Sequence, residues 1–187
     1  MKNKALTALI TVAIILTTFS SCKERKKDVE VEIEKESFAI YVGKDTFIEE
    51  RNTYEMIPHK DKEVTVDKDK TIKEKISLIA DTLSKSYFND LKIDIFEIYT
   101  SQLSGKIANI NLIEHPAFEG PGSLAPYQSW YDYFQGSYGG QNTTIILKES
   151  ILQRDYKGNW IDGAVFFYQG DSIGDMDHLR LEGVKAL

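Results

Sequence analysis

The residues best placed to do chemistry cluster between Tyr133 and Gln141, in the run Tyr-Phe-Gln-Gly-Ser-Tyr-Gly-Gly-Gln. Ser137 and Gln141 offer hydrogen bonds, Tyr133 and Tyr138 offer aromatic faces, and Gly139 and Gly140 let main-chain amides approach a ligand. Three uses of such glycines compete. A nucleophile elbow, G-x-S-x-G, needs glycine at 135, where Gln135 stands. A dinucleotide loop needs G-x-G-x-x-G behind a strand, and that spacing is absent. A cradle for carboxylate or phosphate needs only unpaired N–H groups at a helix start. The plainest reading of 136–140 is a turn that reverses the chain and lets backbone pack closely, with the anion cradle second. On the cradle reading, Tyr133, Ser137, Tyr138, Gly139, Gly140 and Gln141 line a ligand pocket suited to acidic glycans or peptidoglycan stems.

Other polar groups offer less. His59 lies in a polar stretch and reads as solvated; His115 has no evident partner and reads as structural or solvated. Asp171, Asp175, Asp177 and His178 carry hard-cation ligands, but the EF-hand spacing is absent and acids are common in loops. No metal or cofactor is expected. Hydrolysis needs a nucleophile beside an oriented base. Ser137, His115 and the acidic group ending in His178 are the candidates, and no spacing pairs them, so no catalytic residue is assigned.

The N-terminus addresses the location. Lys2 and Lys4 precede an uncharged, mostly apolar run over residues 5–19, which closes on Thr-Phe-Ser-Ser-Cys. The run is short for a membrane span of ~20 residues and fits a secretory signal. With two serines before Cys22, it resembles a bacterial lipobox, which implies diacylation of Cys22 and loss of residues 1–21 as a signal peptide. Cys22 is the single cysteine, so no disulfide can form within the chain. The formal charge of −6 becomes −8 once Lys2 and Lys4 are removed. That balance disfavours nucleic acid and repels anionic headgroups, leaving membrane attachment to the acyl chains, at ~0.8 kcal/mol per buried methylene.

Residues 22–36 read as a charged tether: eleven of the fourteen residues from Lys23 to Glu36 are charged, too few apolar groups to offset backbone ordering. Residues 37–187 are the right length for one domain. Phe38, Ile40 and Val42 alternate as a half-buried strand, Gly43-Lys-Asp turns it, and residues 47–51 are the candidate return. Pro58 breaks a polar segment before a short strand at Val64-Thr-Val66. Ile72, Ile76, Ile79 and Leu83 recur as one helical stripe, with Thr71 and Glu74 as a capping box and Lys70, Lys73, Lys75 and Lys85 on a solvated face.

Residues 91–100 and 106–114 predict a β-hairpin, with a parity switch at Phe96 that calls for a bulge. Pro126 opens a short aromatic helix through Tyr127, Trp130, Tyr131 and Phe134, leaving Tyr133 and Tyr138 off its stripe as an exposed pair. Periodicity leaves residues 141–153 open between strand and helix; β-branching favours the first, length the second. A strand over 160–168 and a short closing strand at Leu179 and Leu181 follow. The expected architecture is α/β (α+β-like): a single compact domain, a mixed sheet with two main helices packed on it, and an added short aromatic helix.

This order resembles the GerMN domain of sporulation and germination lipoproteins. The resemblance rests on residues 72–83, on Lys-Ile-Ala-Asn-Ile-Asn-Leu at 106–112, on 139–152 and on 163–170 ending in Gln-Gly, and spans 38–183. It implies a compact α/β domain without established catalytic residues, used for binding or assembly at the cell envelope. The expectation is a lipid-anchored, non-enzymatic envelope module outside the cytoplasm. It would recognise a cell-wall or carbohydrate ligand or an envelope protein; the alternative is an envelope hydrolase acting on a cell-wall or ester substrate.

Overall fold

A computed structural model describes residues 33–174 and 176–186. The expected signal peptide, Cys22, most of the expected tether and Asp175 lie outside these residues. The chain opens with a long antiparallel ribbon, β1 (Lys35–Ile48) and β2 (Thr53–Asp67), joined by a single 3₁₀ turn at Glu49–Arg51. Helix α1 (Ile72–Tyr87) leads to the hairpin β3 (Lys92–Ser101) and β4 (Gly105–Ile113). The short helix α2 (Trp130–Phe134) and the long α3 (Ser137–Leu152) then cross to β5 (Gly163–Tyr168), which pairs parallel with β4. Two short strands, β6 (Asp171–Ser172) and β7 (Val184–Ala186), pair antiparallel with β5. Among the described residues the result is a mixed five-stranded sheet and a separate two-stranded one, with three α-helices, in one compact α/β domain.

Helix α1 follows its sequence closely. Thr71 Oγ1 accepts from the Glu74 N–H at 3.3 Å and Glu74 Oε2 accepts from the Thr71 N–H at 2.7 Å, so two orphan donors are satisfied reciprocally. Its stripe of Ile76, Ile79 and Leu83 is fully buried. Asn89 and Asp90, both at positive φ, then turn the chain behind the buried Phe88. The β3–β4 register shifts between Ile95 and Glu97, a bulge at Phe96. It returns Ile98 to the core side, opposite Ala108, and leaves Glu97 and Asn109 hydrogen-bonded on the outer face. Phe166 is buried because β5 is an inner strand.

Several expectations are corrected. Gly43-Lys-Asp does not turn; β1 runs on to Ile48, and Phe47 pairs with Tyr54 rather than starting the return strand. Pro58 does not break β2. It lies opposite Gly43, whose N–H points away from β2 toward Asn142. In such a pair both main-chain nitrogens face outward, so proline removes no ladder bond. The domain also begins within the assigned tether, since Lys35 and Glu36 belong to β1.

Lys75 is not on a solvated face. It is buried, forms an ion pair with Glu36, and donates to the Lys68 carbonyl at 2.8 Å. The Tyr156 hydroxyl donates to the same carboxylate. Burial pushes the Glu36 carboxyl up, but the hydrogen bonds from Lys75 and Tyr156 outweigh it and hold the group below its ordinary range. The Tyr156 hydroxyl is pushed up to about 12, first by that hydrogen bond and then by burial.

The aromatic helix begins at Trp130 with Ser129 as N-cap, not at Pro126; Tyr127 sits at positive φ and is exposed. What fixes α2 is Glu114, a buried carboxylate that accepts from the N–H groups of Trp130 (2.8 Å) and Tyr131 (2.9 Å). It also accepts from the Tyr168 hydroxyl at 2.8 Å. Trp160 and Ile161 are buried loop residues ahead of β5. Leu179 and Leu181 are buried too, but Leu179 makes only an isolated bridge to Met176, and the closing strand is β7.

Residues 137–152 resolve as helix, buried on most of its circumference. Burial all round is what a helix needs when it is packed between layers, and it erases the one-sided stripe by which α1 is legible. Helix α3 packs against β1, β5, α1 and α2. Along the free edge of β1 it supplies side chains in place of a strand. Gln153 Oε1 accepts from the Ala39 N–H (2.9 Å), Ser150 Oγ from the Tyr41 N–H (2.9 Å), and Asn142 Oδ1 from the Gly43 N–H (2.8 Å). Gln153 Nε2 also donates to the Ala39 carbonyl at 2.6 Å.

A candidate ligand cleft between the hairpin and the start of helix α3

The predicted turn at 136–140 is the first turn of α3. Gly136, at φ +70° and ψ 150°, is the N-cap and provides no side-chain cap. Helix geometry accounts for one of the two amides expected to be free: the Gly140 N–H donates to the Gly136 carbonyl at 2.9 Å. Gly140 has a different use. It is buried, and a Cβ there would lie 2.7 Å from the His178 carbonyl oxygen, so glycine permits the close crossing of the C-terminal segment. At Gly139 an added Cβ would make only ordinary contact, 3.7 Å from the Tyr133 carbonyl oxygen.

Two threonines on α3 hold the neighbourhood together. Thr143 Oγ1 donates to the Tyr133 carbonyl (2.9 Å), tying down the end of α2. Thr144 Oγ1 donates to the Gly140 carbonyl (2.8 Å) and accepts from the Arg180 N–H (3.0 Å), fixing the C-terminal segment. The consequence is a contact between residues 41 positions apart: Ser137 Oγ lies 3.3 Å from His178 Nδ1. Asp177 and Asp171 do not join His178 in a ligand set; no group of three His, Cys, Asp or Glu side chains among the described residues could hold a metal ion.

Tyr133 does not line a pocket with Tyr138. It is half-buried, edge-on to Phe88 at 5.1 Å between centroids, with Tyr127 at 5.4 Å on another side. Burial is the main cause that raises its hydroxyl pKa. Tyr138 instead projects from α3, 62% exposed, into an open cleft of about 510 Å³. Ser137, Tyr138 and Gln141 form one wall, and Asp45, Tyr54, Glu55 and Met56 of the hairpin form the other. The volume falls within the ~300–1,000 Å³ of small-ligand sites. Tyr54 is 71% exposed, and Glu55 is paired with Arg51.

Of the six pocket residues expected from sequence, Ser137, Tyr138 and Gln141 are therefore brought together at the cleft. Gly139 and Gly140 shape the helix turn behind it, and Tyr133 belongs to the aromatic core. The carboxylates of Asp45 and Glu55 make the lining unsuited to an acidic ligand, contrary to the anion-cradle expectation. The hairpin wall was missed because Gly43 and Pro58 read as chain breakers. The usable signal was Phe47 and Tyr54, placed symmetrically about Glu49–Asn52 as a cross-strand aromatic pair, 5.2 Å between centroids. His115 is exposed, its Nδ1 accepts from the Ala117 N–H, and it does not line the cleft; His59 is exposed on β2.

No protein-family model, characterised protein or solved structure matches the chain. No helix among the described residues is long and apolar enough to cross a membrane.

Proposed function

We propose that the protein is a lipid-anchored envelope module, held by acylated Cys22, whose cleft between the hairpin and α3 binds a cell-wall fragment without transforming it. The observation that carries this reading is the pairing of two strongly exposed tyrosines, Tyr54 and Tyr138, across a cleft with hydrogen-bonding groups at Ser137, Gln141 and Asp45. Exposed aromatic faces beside polar groups suit a sugar ring or a peptide with neutral or amine-bearing groups. The lipobox and the resemblance to GerMN lipoproteins support the location.

A second reading is favoured by one distance. Ser137 Oγ at 3.3 Å from His178 Nδ1 is a nucleophile–base pair of the kind an ester or amide hydrolase uses, at a helix start whose first amides could stabilise an oxyanion. Among the described residues no carboxylate hydrogen-bonds His178 to orient it. The binding reading is therefore preferred.

One experiment treats both. A muropeptide whose stem peptide carries a lysine and amidated carboxyl groups, so that it is not acidic, is titrated by calorimetry against the full chain and a Tyr54→Ala/Tyr138→Ala variant, and the mixture is then examined by mass spectrometry. Binding by the wild type, weakened at least tenfold in the variant, with the muropeptide intact, is the expected result. Absence of binding at millimolar concentration overturns the cleft reading. Cleavage lost in Ser137→Ala replaces it with the hydrolase.

A further inference from the structure

The free edge of β1 changes character along its length. Its outward N–H groups fall on alternate residues, at Ala39, Tyr41 and Gly43, and α3 caps each with a side chain. The next outward positions are Asp45 and Phe47, in register with Met56 and Tyr54. The β1–β2 irregularity lies earlier, between Ile40 and Tyr41, so the alternation carries through. Among the described residues, no hydrogen bond uses the outward N–H or C=O of Asp45 or Phe47. Here α3 ends, and the uncapped stretch borders the cleft at Asp45.

We propose that the cleft takes an extended, lysine-bearing peptide, which adds as a strand to the Asp45–Phe47 edge of β1. This rests on the cleft reading above and names its ligand class. Four main-chain groups at Asp45 and Phe47 provide a short ladder, and an uncovered strand edge is a template for this form of pairing. Tyr138 and Tyr54 flank the peptide, with Gln141 and Ser137 opposite the edge. The charge preference comes from the arm: residues 44–57 carry Asp45, Glu49, Glu50 and Glu55 against Lys44 and Arg51. A peptide with alternating lysines complements that surface, whereas the acidic Val-Glu-Val-Glu run at 29–32 of a second copy would be repelled.

The test uses acetyl-Lys-Thr-Lys-Val-Lys-Thr-amide and the same peptide N-methylated at every residue, titrated against the full chain by calorimetry. Strand addition predicts submillimolar binding of the first and at least tenfold weaker binding of the second, since neither edge of the fully methylated strand can donate to β1. Asp45→Pro removes an outward donor without touching the β1–β2 ladder and is expected to weaken binding tenfold. Asp45→Asn keeps the donor and should weaken it about threefold, an effect that shrinks with added salt. Equal affinity for the methylated and unmethylated peptides overturns strand addition without requiring any variant to fold. If the peptide fails to bind at millimolar concentration while the muropeptide still binds through Tyr54 and Tyr138, strand addition falls and the cleft reading stands. If neither binds, both fall.

Discussion

The two halves of the first hairpin are one ladder with opposite surroundings. At its base Phe38 and Ile40 are fully buried, Val66 nearly so, and the edge amides are capped by α3. Past Gly43 the same strands leave Phe47 and Ile57 partly exposed and Tyr54 mostly so, and the edge loses its caps. At ~3.3 Å per residue β1 extends roughly 45 Å. A two-stranded ribbon is marginal by itself. The base is stable because it is clamped to the core, and the outer half is held by the base. The candidate cleft opens on the outer half, at Asp45, Tyr54, Glu55 and Met56.

The sharpest way to break this comparison is to truncate the same residue type on each side. Phe38 stacks on Trp160 at 4.6 Å and packs against Tyr156, so Phe38→Ala should cost about 3–5 kcal/mol in chemical denaturation. Phe47→Ala, at 45% exposure, should cost under about 1 kcal/mol. Similar losses would mean that the outer half is packed after all.

The next effect concerns what clamps the base. Lys75→Met leaves the Glu36 carboxylate without its cation in a buried setting and should cost about 3 kcal/mol near neutral pH. The Glu36 carboxyl is depressed in the folded chain. Its contribution is therefore fully present above the ordinary value of about 4.3 and is lost as pH falls through the lower folded value. The gap between wild type and Lys75→Met, read from melts across pH, should narrow as pH falls, starting at the raised pKa of the uncompensated carboxyl in the variant and ending at the depressed one of the wild type. A constant gap would assign the loss to packing by the lysine stem instead.

The smallest effect sharpens the edge itself. Ser150→Ala is nearly isosteric and leaves the Tyr41 N–H uncapped, costing about 1 kcal/mol. Hydrogen exchange at Tyr41 should accelerate toward the rate at Asp45, which has no cap to lose. Unchanged exchange at Tyr41 would show that Ser150 does not protect the edge.

Much of the fold is legible residue by residue. The stripe of α1, its Thr71–Glu74 cap, the β3–β4 hairpin and its bulge at Phe96 all follow from local rules, because each is set by neighbours within a few positions. The misreadings share one cause. Gly43 and Pro58 are turn formers in isolation, Lys75 is solvated in isolation, and 137–140 is a loop in isolation. Each is overruled by a partner far along the chain: Asn142, Glu36 and the His178 segment. The candidate site was half visible for the same reason. Ser137, Tyr138 and Gln141 share one helix turn and stand out as a group, whereas Asp45, Tyr54, Glu55 and Met56 reach them only through the hairpin.

By itself, then, the sequence determined the amphipathic helix, the β3–β4 hairpin, the α/β class and one wall of the candidate cleft, since periodicity and capping are local properties of the chain. Tertiary structure alone decided that α3 is helical, that it caps a strand edge, and that Ser137 meets His178. A helix buried on every side carries no period, and hydrogen bonds between residues about a hundred positions apart leave no mark on the spacing of either partner.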